Sequence, residues 1–251
     1  MKIAVAGGTG VVGRFVVEAV RGNGDEPVVL SRSTGVDLTT GAGLDAALAG
    51  VDAVIDVSNI ETMSRKKATA FFETGTRNLL AAEQRAGVGH HVLLSIVGID
   101  RVGLGYYAAK LSQEQAALAG PVPATVLRAT QFHEFAGQML DRTGPVVIGP
   151  KMLSQPVAAR EVGQLLADLA RRPPAGRVPD LAGPQQLDMS QLVRRVAKAR
   201  GVRKPIVAFR LPGKVGTAMA TGGSLPDADG PRGSITFDEW LASENAGNPP
   251  G

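Results

Sequence analysis

A glycine-rich turn near the start of the chain constrains its fold more than any other feature. Residues 3–6 form a short apolar run without polar alternation, which is typical of a strand buried on both faces of a parallel sheet. Gly7, Gly10 and Gly13 follow at three-residue spacing, and a helical apolar stripe begins at Val11 and Val12. The order strand, glycine turn, helix predicts the opening of a βαβ unit.

The missing side chains of such a turn have a chemical consequence. The backbone turns tightly and can approach a pyrophosphate, while the helix N-terminus offers unpaired N–H groups to the anion. The spacing here is Gly-x-x-Gly-x-x-Gly, not the commoner Gly-x-Gly-x-x-Gly. Because 32 of the 251 residues are glycine, spacing alone would be weak evidence. Its place between a strand and a helix predicts a dinucleotide site.

Composition excludes several other classes of function. The formal net charge is only +4 and the 27 basic residues are scattered, so we expect no nucleic-acid partner. The chain has no cysteine, which excludes disulfides and thiolate nucleophiles and means that redox chemistry needs a bound cofactor. The first apolar run is too short for a signal peptide, and no stretch approaches about 18 uninterrupted apolar residues. We therefore expect a cytoplasmic protein with no membrane partner.

The end of the second predicted strand bears on the choice of cofactor. An NAD site usually places an acid here for the ribose 2′-hydroxyl, whereas an arginine accommodates the 2′-phosphate of NADP. The sequence there is Ser31, Arg32 and Ser33, without an acid, which favours NADP(H). Asp37 and Leu38, further into the loop, suit the adenine edge, although an aspartate that caps a loop turn explains Asp37 almost equally well.

Two further strand ends carry polar residues. Residues 51–57 predict a strand that runs into Ser58 and Asn59, where a cofactor crosses the sheet in such folds. His90 and His91 begin the next strand. Adjacent side chains on a strand point to opposite faces, and no carboxylate lies near them in the sequence, so we expect structural roles and no metal site.

A tyrosine and a lysine follow that strand at helical spacing. Tyr106 and Lys110 are four residues apart, which places both on one helix face. A neighbouring ammonium and an oxidised nicotinamide both favour phenolate, and they are expected to lower the pKa of the tyrosine. Tyr106 would then exchange a proton with a carbonyl oxygen, and Ser95, at the preceding strand tip, would hydrogen-bond the same oxygen. Lys110 could also hold the nicotinamide ribose. An aromatic packing residue beside a solvated lysine is the alternative.

These segments together resemble the short-chain dehydrogenase/reductase superfamily, and more narrowly its atypical, NmrA-like branch. The similarity is extensive over residues 1–135 and continues weakly to about residue 241. It is carried by the glycine turn, Arg32, residues 76–82, Leu94-Ser95, Tyr106 to Lys110, and Leu127-Arg128-Ala129-Thr130-Gln131-Phe132.

The resemblance implies roles for further residues. Thr9, Gly10, Val11 and Val12 would contact the pyrophosphate, Arg32 the 2′-phosphate, and Thr130, Gln131 and Phe132 the nicotinamide end. The sequence departs from the family at one catalytic position. Many extended members carry an asparagine three residues before the glycine that aligns with Gly75, and Phe72 stands there instead. That substitution puts the family's proton relay in doubt.

The predicted fold is an α/β, Rossmann-type doubly wound parallel sheet with a small C-terminal substrate-binding lobe. We place the NADP-binding core at residues 1–150, the lobe at 151–245 and a frayed tail at 246–251. The lobe is predicted to include a short strand pair around residue 146 and residues 155–158, and a flap or loose loop over residues 212–233. His133 and Met152 are candidate substrate contacts in a mostly apolar pocket.

The predicted function is an NADPH-dependent oxidoreductase that transfers hydride to a small, apolar carbonyl or quinone, as a monomer or homodimer. Two alternatives stay open. One is a non-catalytic NADP(H)-binding redox sensor of NmrA-like type, which the presence of Tyr106 and Lys110 disfavours and Phe72 favours. The other uses bound nucleotide for epimerisation or dehydration without net redox change.

Overall fold

The computed structural model describes residues 1–62, 64–141, 144–227 and 230–247. Contacts within the chain define two units. The first comprises Met1–Ile96, Leu104–Arg128 and Val162–Pro179, and the second Val97–Gly103, Ala129–Glu161 and Asp180–Gly251. These units do not follow the predicted boundary at residue 150, because residues 129–150 group with the second unit and residues 162–179 with the first.

Strands and helices alternate through the first half of the chain. The strands are β1 (Lys2–Ala6), β2 (Glu26–Leu30), β3 (Ala53–Asp56), β4 (His90–Ile96), β5 (Ala124–Ala129), β6 (Val147–Pro150), β7 (Leu153–Ser154), β8 (Gly176–Arg177), β9 (Leu187–Asp188) and β10 (Ile206–Phe209). The helices are α1 (Val11–Gly22), α2 (Leu44–Ala47), α3 (Arg65–Ala86), α4 (Gly105–Leu118), α5 (Glu134–Asp141), α6 (Ala159–Ala170), α7 (Met189–Ala199), α8 (Gly213–Ala220) and α9 (Phe237–Gly247).

A six-stranded sheet of order β2-β1-β3-β4-β5-β8 forms the centre of the first unit. The pairs β1–β2, β1–β3, β3–β4 and β5–β8 are parallel. Residues 3–6 of β1 are fully buried, as their continuous apolar run predicts. The strand order reverses direction at β1, whose neighbours are β2 and β3, and in such sheets ligands bind beyond the carboxyl ends of the strands at this point. The predicted doubly wound α/β fold is confirmed.

Helices α3 and α4 pack against each other in the first unit. A buried apolar cluster joins the sheet to the helices, with members that include Leu30 of β2, Leu44 of α2, Val54 of β3 and Leu79 of α3. The α3 N-terminus is capped by Ser64, whose side chain accepts a hydrogen bond from the Lys67 N–H. α4 also packs against β4.

Two small sheets belong to the second unit, and here the strand prediction was wrong. β6 pairs in parallel with β10, which lies more than fifty residues further along the chain, and β7 pairs antiparallel with β9. The expected partner segment, residues 155–158, lies outside the named strands, although Phe132 and Val157 form an isolated parallel bridge. The segment expected to be a flap or loose loop contains helix α8. α9 extends through Gly247, two residues into the tail expected to be frayed, and residues 248–251 lie outside the described residues.

None of the helices built from the described residues combines the length and the apolar character needed to cross a bilayer.

Candidate functional site

The glycine turn is built from backbone alone. A Cβ on Gly13 would lie 2.1 Å from the carbonyl oxygen of Gly7, so only glycine lets α1 pack this closely on the turn. Gly7 itself has φ +80°, and a Cβ there would lie 2.9 Å from the Cα of Ser58. The end of β1 and the segment after β3 therefore approach each other through their main chains.

The N-terminus of α1 is chemically suited to an anion. Its N-cap, Gly10, makes no side-chain capping hydrogen bond, and the first turn contains no acidic residue. Thr9 and Gly10 are exposed and Val11 is half-buried, whereas Val12 belongs to the buried core. Exposed backbone N–H groups at a helix start fit a pyrophosphate. Val12 contributes packing and not a side-chain contact.

The segment after β2 places a cation at the surface. Ser31 begins a short 3₁₀ helix that spans Arg32–Thr34, and its hydroxyl lies 2.8 Å from that of Ser33. The Arg32 side chain is exposed. An acid is absent from the described residues 26–36 apart from Glu26 at the start of β2. Asp37 is the first carboxylate that follows Arg32 in the chain.

Asp37 and Leu38 belong to a loop that is fixed by its own hydrogen bonds. The Asp37 carboxylate accepts from the Thr39 N–H at 2.8 Å and from the Thr39 hydroxyl at 2.7 Å. These bonds, with a smaller contribution from the charge of Arg32, lower the pKa of Asp37. The Asn78 amide of α3 donates to the Leu38 carbonyl at 2.8 Å. The turn-capping interpretation of Asp37 agrees with these contacts, and Asn78 positions the loop on α3.

Tyr106 meets the end of β3 through a hydrogen bond. Its hydroxyl donates to the Asn59 Oδ1 at 2.5 Å, and the same oxygen accepts from the Ile60 N–H at 2.8 Å. The side chain of Tyr106 is half-buried. Burial, with a smaller contribution from Tyr107, raises the pKa of the Tyr106 phenol. In the chain alone, burial thus outweighs any lowering by Lys110, and the lowering expected from an oxidised nicotinamide stays a prediction.

Lys110 lies on the same face of α4 but takes different partners. Its ammonium donates to the Gln113 Oε1 at 2.5 Å and lies 4.9 Å from the ring centroid of Phe72. Phe72 also packs edge-on against Tyr106, with ring centroids 5.6 Å apart. Burial lowers the pKa of Lys110 to about 8, against the opposing charges of Asp56 and Glu114. The aromatic ring at position 72 thus contacts both members of the predicted tyrosine–lysine pair.

Ser95 is held inside a buried ion pair. Its hydroxyl donates to the Glu114 Oε2 at 2.7 Å. The Arg128 guanidinium of β5 donates to both Glu114 oxygens, at 3.0 Å and 2.8 Å. The three side chains are each at most 4% exposed. The structure therefore places the three predicted catalytic groups at the same edge of the sheet but on three separate acceptors.

Asp56, at the end of β3, is linked to Lys110 through the Gln113 side chain. Its Oδ1 accepts from the Ser58 N–H at 2.8 Å and its Oδ2 accepts from the Gln113 Nε2 at 2.9 Å. Ser58 and Asp56 are both buried. The Asp56 carboxylate thus fixes the Ser58 backbone. Among the described residues the Ser58 hydroxyl makes no hydrogen bond, so its predicted cofactor role stays a prediction.

The adjacent histidines point to opposite faces, as predicted, and both are buried. His90 Nε2 lies 2.8 Å from the Thr125 hydroxyl, and His91 Nδ1 lies 2.9 Å from the Glu83 Oε1. The expectation that no carboxylate lies near them was wrong, because Glu83 of α3 reaches β4 across the helix–sheet contact. No group of three potential metal ligands occurs among the described residues.

The remaining predicted site residues belong to the second unit. Thr130 is buried, and its hydroxyl donates to the Gln155 carbonyl at 2.6 Å, while the Gln131 carbonyl and the Phe132 backbone pair with Val157. His133 is 1% exposed, its Nε2 lies 3.0 Å from the Ile235 carbonyl oxygen, and its ring packs on Phe237 and Trp240. Met152 is also 1% exposed. We assign packing roles to His133 and Met152 in place of the predicted substrate contacts.

Several residues of this site were missed from the sequence. They are Asp56, Asn78, Gln113, Glu114 and Arg128. The sequence carried a signal for two of them. Asp56 is a carboxylate inside the apolar run of β3, and Glu114 lies four residues after Lys110, on the same helix face. Gln113 and Asn78 carry no such signal, because an amide on a helix is usually solvated.

Comparison with known proteins agrees with this geometry. Residues 3–98 match the family model described as the NAD dependent epimerase/dehydratase family, which is less than half of the chain. No curated protein sequence matches the chain.

Solved structures extend the likeness to nearly the whole chain. A short-chain dehydrogenase/reductase superfamily protein from Agrobacterium tumefaciens with bound NAD is 20% identical, with a TM-score of 0.70 over 98% of this chain and 96% of the other. The NADPH-dependent quinone oxidoreductase QOR2 from Escherichia coli, complexed with NADPH, is 20% identical, with a TM-score of 0.70 over 96% and 99%. The triphenylmethane reductase from Citrobacter sp., complexed with NADP(H), is 17% identical, with a TM-score of 0.69 over 97% and 99%.

At these identities the likeness establishes the fold and not the reaction. The chain has the Rossmann-like α/β fold of the short-chain dehydrogenase/reductase structures.

Proposed function

We propose that this protein is an NADPH-dependent reductase of the short-chain dehydrogenase/reductase type, which transfers hydride to a small, apolar carbonyl or quinone. The observation that carries the proposal is the close approach of Gly13 to Gly7, which leaves a side-chain-free cradle at an uncapped helix N-terminus. Backbone amides that converge at such a turn are the fold's means of holding a pyrophosphate.

The cradle fits a nicotinamide dinucleotide. Thr9, Gly10 and Val11 would hold the pyrophosphate at the start of α1, and the loop around Leu38 would border the adenine. Arg32, exposed beyond β2, supports NADP(H) over NAD, since a guanidinium pairs with a 2′-phosphate and no acid competes for the ribose. The structures of the quinone oxidoreductase and the triphenylmethane reductase contain NADPH and NADP(H), which also supports NADP(H) as the cofactor.

The cofactor would supply hydride, and the chain's own residues would handle the proton. The raised pKa of Tyr106 keeps the phenol neutral throughout the physiological range. A neutral phenol donates a hydrogen bond to a carbonyl oxygen, and it supplies the proton that a reduced oxygen gains. The reverse reaction needs a phenolate to remove a proton from an alcohol. The electrostatics of the site therefore support reduction as its direction.

Asn59 and Glu114 prepare the groups around the substrate oxygen. Asn59 orients the Tyr106 hydroxyl by accepting its hydrogen bond. A substrate oxygen would compete with Asn59 for that hydrogen. Glu114 takes the single hydrogen of Ser95, so Ser95 would support the site through Glu114 and Arg128 and not through the substrate. In this proposal Tyr106 is the proton donor.

The sensor of NmrA-like type stays as the second candidate. The observation in its favour is that Ser95, Tyr106 and Lys110 each have a protein partner and none of them points to a shared acceptor. Such a protein would bind NADP(H) as tightly as the reductase and turn nothing over. Epimerisation or dehydration with retained nucleotide is supported by the family model over residues 3–98, a segment that includes the glycine turn.

The test is NADPH oxidation over a panel of apolar aldehydes, ketones and quinones, with wild type, Tyr106→Phe and Tyr107→Phe. We expect turnover by wild type and a loss of kcat of about 10²–10⁴-fold in Tyr106→Phe, which is the usual contribution of a general acid. Tyr107→Phe removes a hydroxyl one residue away and should stay close to wild type. NADPH binding without turnover on any substrate would favour the sensor, and equal rates in Tyr106→Phe would contradict the assignment of the proton donor.

A further inference from the structure

The Lys110 ammonium is buried in the first unit, and among the described residues no carboxylate contacts it directly. The side chain is 5% exposed, and its ammonium donates to the amide oxygen of Gln113 at 2.5 Å. A buried ammonium is costly unless its charge is compensated. The groups that compensate this charge therefore determine whether Lys110 is held within reach of a nicotinamide ribose.

The Gln113 amide links the Lys110 ammonium to the Asp56 carboxylate. An ammonium can only donate hydrogen bonds and a carboxylate can only accept them, so the Gln113 amide has one possible orientation between the two. Its Oε1 accepts from Lys110 and its Nε2 donates to the Asp56 Oδ2 at 2.9 Å. Gln113 is 1% exposed, so water does not replace either bond.

Asp56 is fixed in turn by the main chain. Its second oxygen accepts from the Ser58 N–H at 2.8 Å, immediately after β3, and the side chain is 1% exposed. A buried carboxylate hydrogen-bonded directly to the amide polarises it and strengthens its acceptor end. Lys110, Gln113 and Asp56 therefore form one buried chain from α4 to β3.

Phe72 of α3 contacts the same ammonium. Its ring is 1% exposed, and the ring centroid lies 4.9 Å from the Lys110 Nζ. The ring face attracts the cation but offers it no oxygen. Gln113 supplies the oxygen.

We propose that Gln113 and Asp56 are positioning residues for the Lys110 ammonium. This inference rests on the proposed function in one respect: it assigns what holds the lysine that would bind the nicotinamide ribose. The geometry itself is independent of any reaction.

The other charged groups around Lys110 are paired among themselves. On α4, Glu114 is bound by Arg128 of β5, and on β4, His91 is bound by Glu83 of α3. The charges of Asp56 and Glu114 favour the ammonium, whereas Lys110 disfavours a charged His91. Neither pair offers Lys110 a direct hydrogen bond, so within the described part of the chain Gln113 is its polar contact.

The experiment follows the Lys110 ammonium directly by ¹⁵N NMR of the lysine Nζ through a pH titration. The resonance is assigned by its loss in Lys110→Arg. The variants are Gln113→Met, which keeps the length of the side chain without polar atoms, and Gln113→Glu, which offers a full carboxylate. Gln115→Met is the matched control, because Gln115 is an exposed glutamine on the same helix. NADPH affinity is measured by calorimetry on each protein at pH 7.

We expect the pKa of Lys110 to fall by about one pH unit in Gln113→Met, since the ammonium loses a charge-assisted hydrogen bond. It should rise in Gln113→Glu and stay unchanged in Gln115→Met. NADPH affinity should fall several-fold in Gln113→Met alone. An unchanged Lys110 titration in Gln113→Met would overturn the proposal.

A second variant keeps the test decisive if Gln113→Met does not fold. Asp56→Asn preserves shape and one acceptor oxygen but removes the charge, and it should lower the pKa of Lys110 in the same direction as Gln113→Met. No change in Asp56→Asn would equally overturn the proposal. Because the titration needs neither cofactor nor turnover, its result is separate from the success or failure of the proposed reductase activity.

Discussion

Single glycines decide whether the cradle can exist. A Cβ on Gly13 would lie 2.1 Å from the Gly7 carbonyl oxygen and 2.7 Å from the Gly8 Cα, both of which are backbone atoms that cannot move aside cheaply. Gly22 ends the same helix and has no atom within 4 Å of an added Cβ. The two positions make a matched pair, one crowded and one open.

Gly13→Ala should destabilise the protein by about 1–3 kcal/mol through overpacking, and it should abolish NADPH binding. Gly22→Ala should raise stability by about 0.5–1 kcal/mol, because alanine is the better helix former. Urea unfolding and calorimetric titration of both variants check this. Unimpaired NADPH binding by Gly13→Ala would mean that the turn does not contact the cofactor.

Residue by residue, the sequence predicts the glycine turn and the tyrosine–lysine pair but not the hydrogen bonds that their neighbours make. Glycine spacing and the Tyr106–Lys110 interval are local, so they could be predicted. That the Tyr106 hydroxyl reaches Asn59 and that Phe72 packs between phenol and ammonium depends on how α3 packs on α4. No single-sequence pattern encodes that contact.

At the scale of elements, a buried histidine–carboxylate pair joins α3 to β4. His91 and Glu83 are both completely buried, and among the described residues the His91 Nε2 has no partner. Burial raises the pKa of Glu83, and although burial alone would lower the pKa of His91, the Glu83 carboxylate raises it. The folded chain therefore holds protons here more tightly than the unfolded chain does.

The sign of the pH dependence follows from these directions. The stabilising contribution of His91 is complete below its unfolded pKa of about 6.5 and is lost as the pH rises through the raised folded pKa. The free energy of unfolding in wild type should therefore decrease above pH 6.5 relative to Glu83→Leu/His91→Leu, in which the pair is absent. Urea unfolding of both proteins from pH 6 to pH 9 measures the difference, in which contributions of the other histidines cancel.

The single variant Glu83→Leu should cost about 3–5 kcal/mol, because it leaves the imidazole buried without its partner. The double variant should recover much of that loss. Equal destabilisation of the single and the double variant would show that the two side chains do not act as a pair.

Elements with a strong period were predictable and short ones were not. α3 was expected at about residues 66–86 and spans Arg65–Ala86, because its apolar stripe repeats over several turns. β6 and β10 are four residues each and pair across more than fifty residues, which tertiary packing determines. The small residues of α8 suggested a loop, yet Pro212 at its N-cap and the packing of Met219 support a helix.

At the scale of the whole molecule, the division into units could not be read from the order of the chain. Residues 162–179 return to the first unit, where Gly176 and Arg177 of β8 add a parallel strand beside β5. A two-residue strand has no period to recognise. The doubly wound sheet itself was predictable, since its strands alternate with helices from β1 to β5 and each connection is local.

The cradle at α1 and the exposed Arg32 guanidinium beyond β2 should together select NADPH. The most direct test is calorimetric titration of wild type, Arg32→Ala and Arg21→Ala with NADPH and with NADH. Arg21 is the matched control, an exposed arginine in the last turn of α1.

Loss of the guanidinium contact to a 2′-phosphate should weaken NADPH binding by about 10–100-fold in Arg32→Ala, with NADH binding and Arg21→Ala nearly unchanged. Wild type should bind NADPH more tightly than NADH. Equal affinity of wild type for the two nucleotides, or no binding of either, would contradict the account.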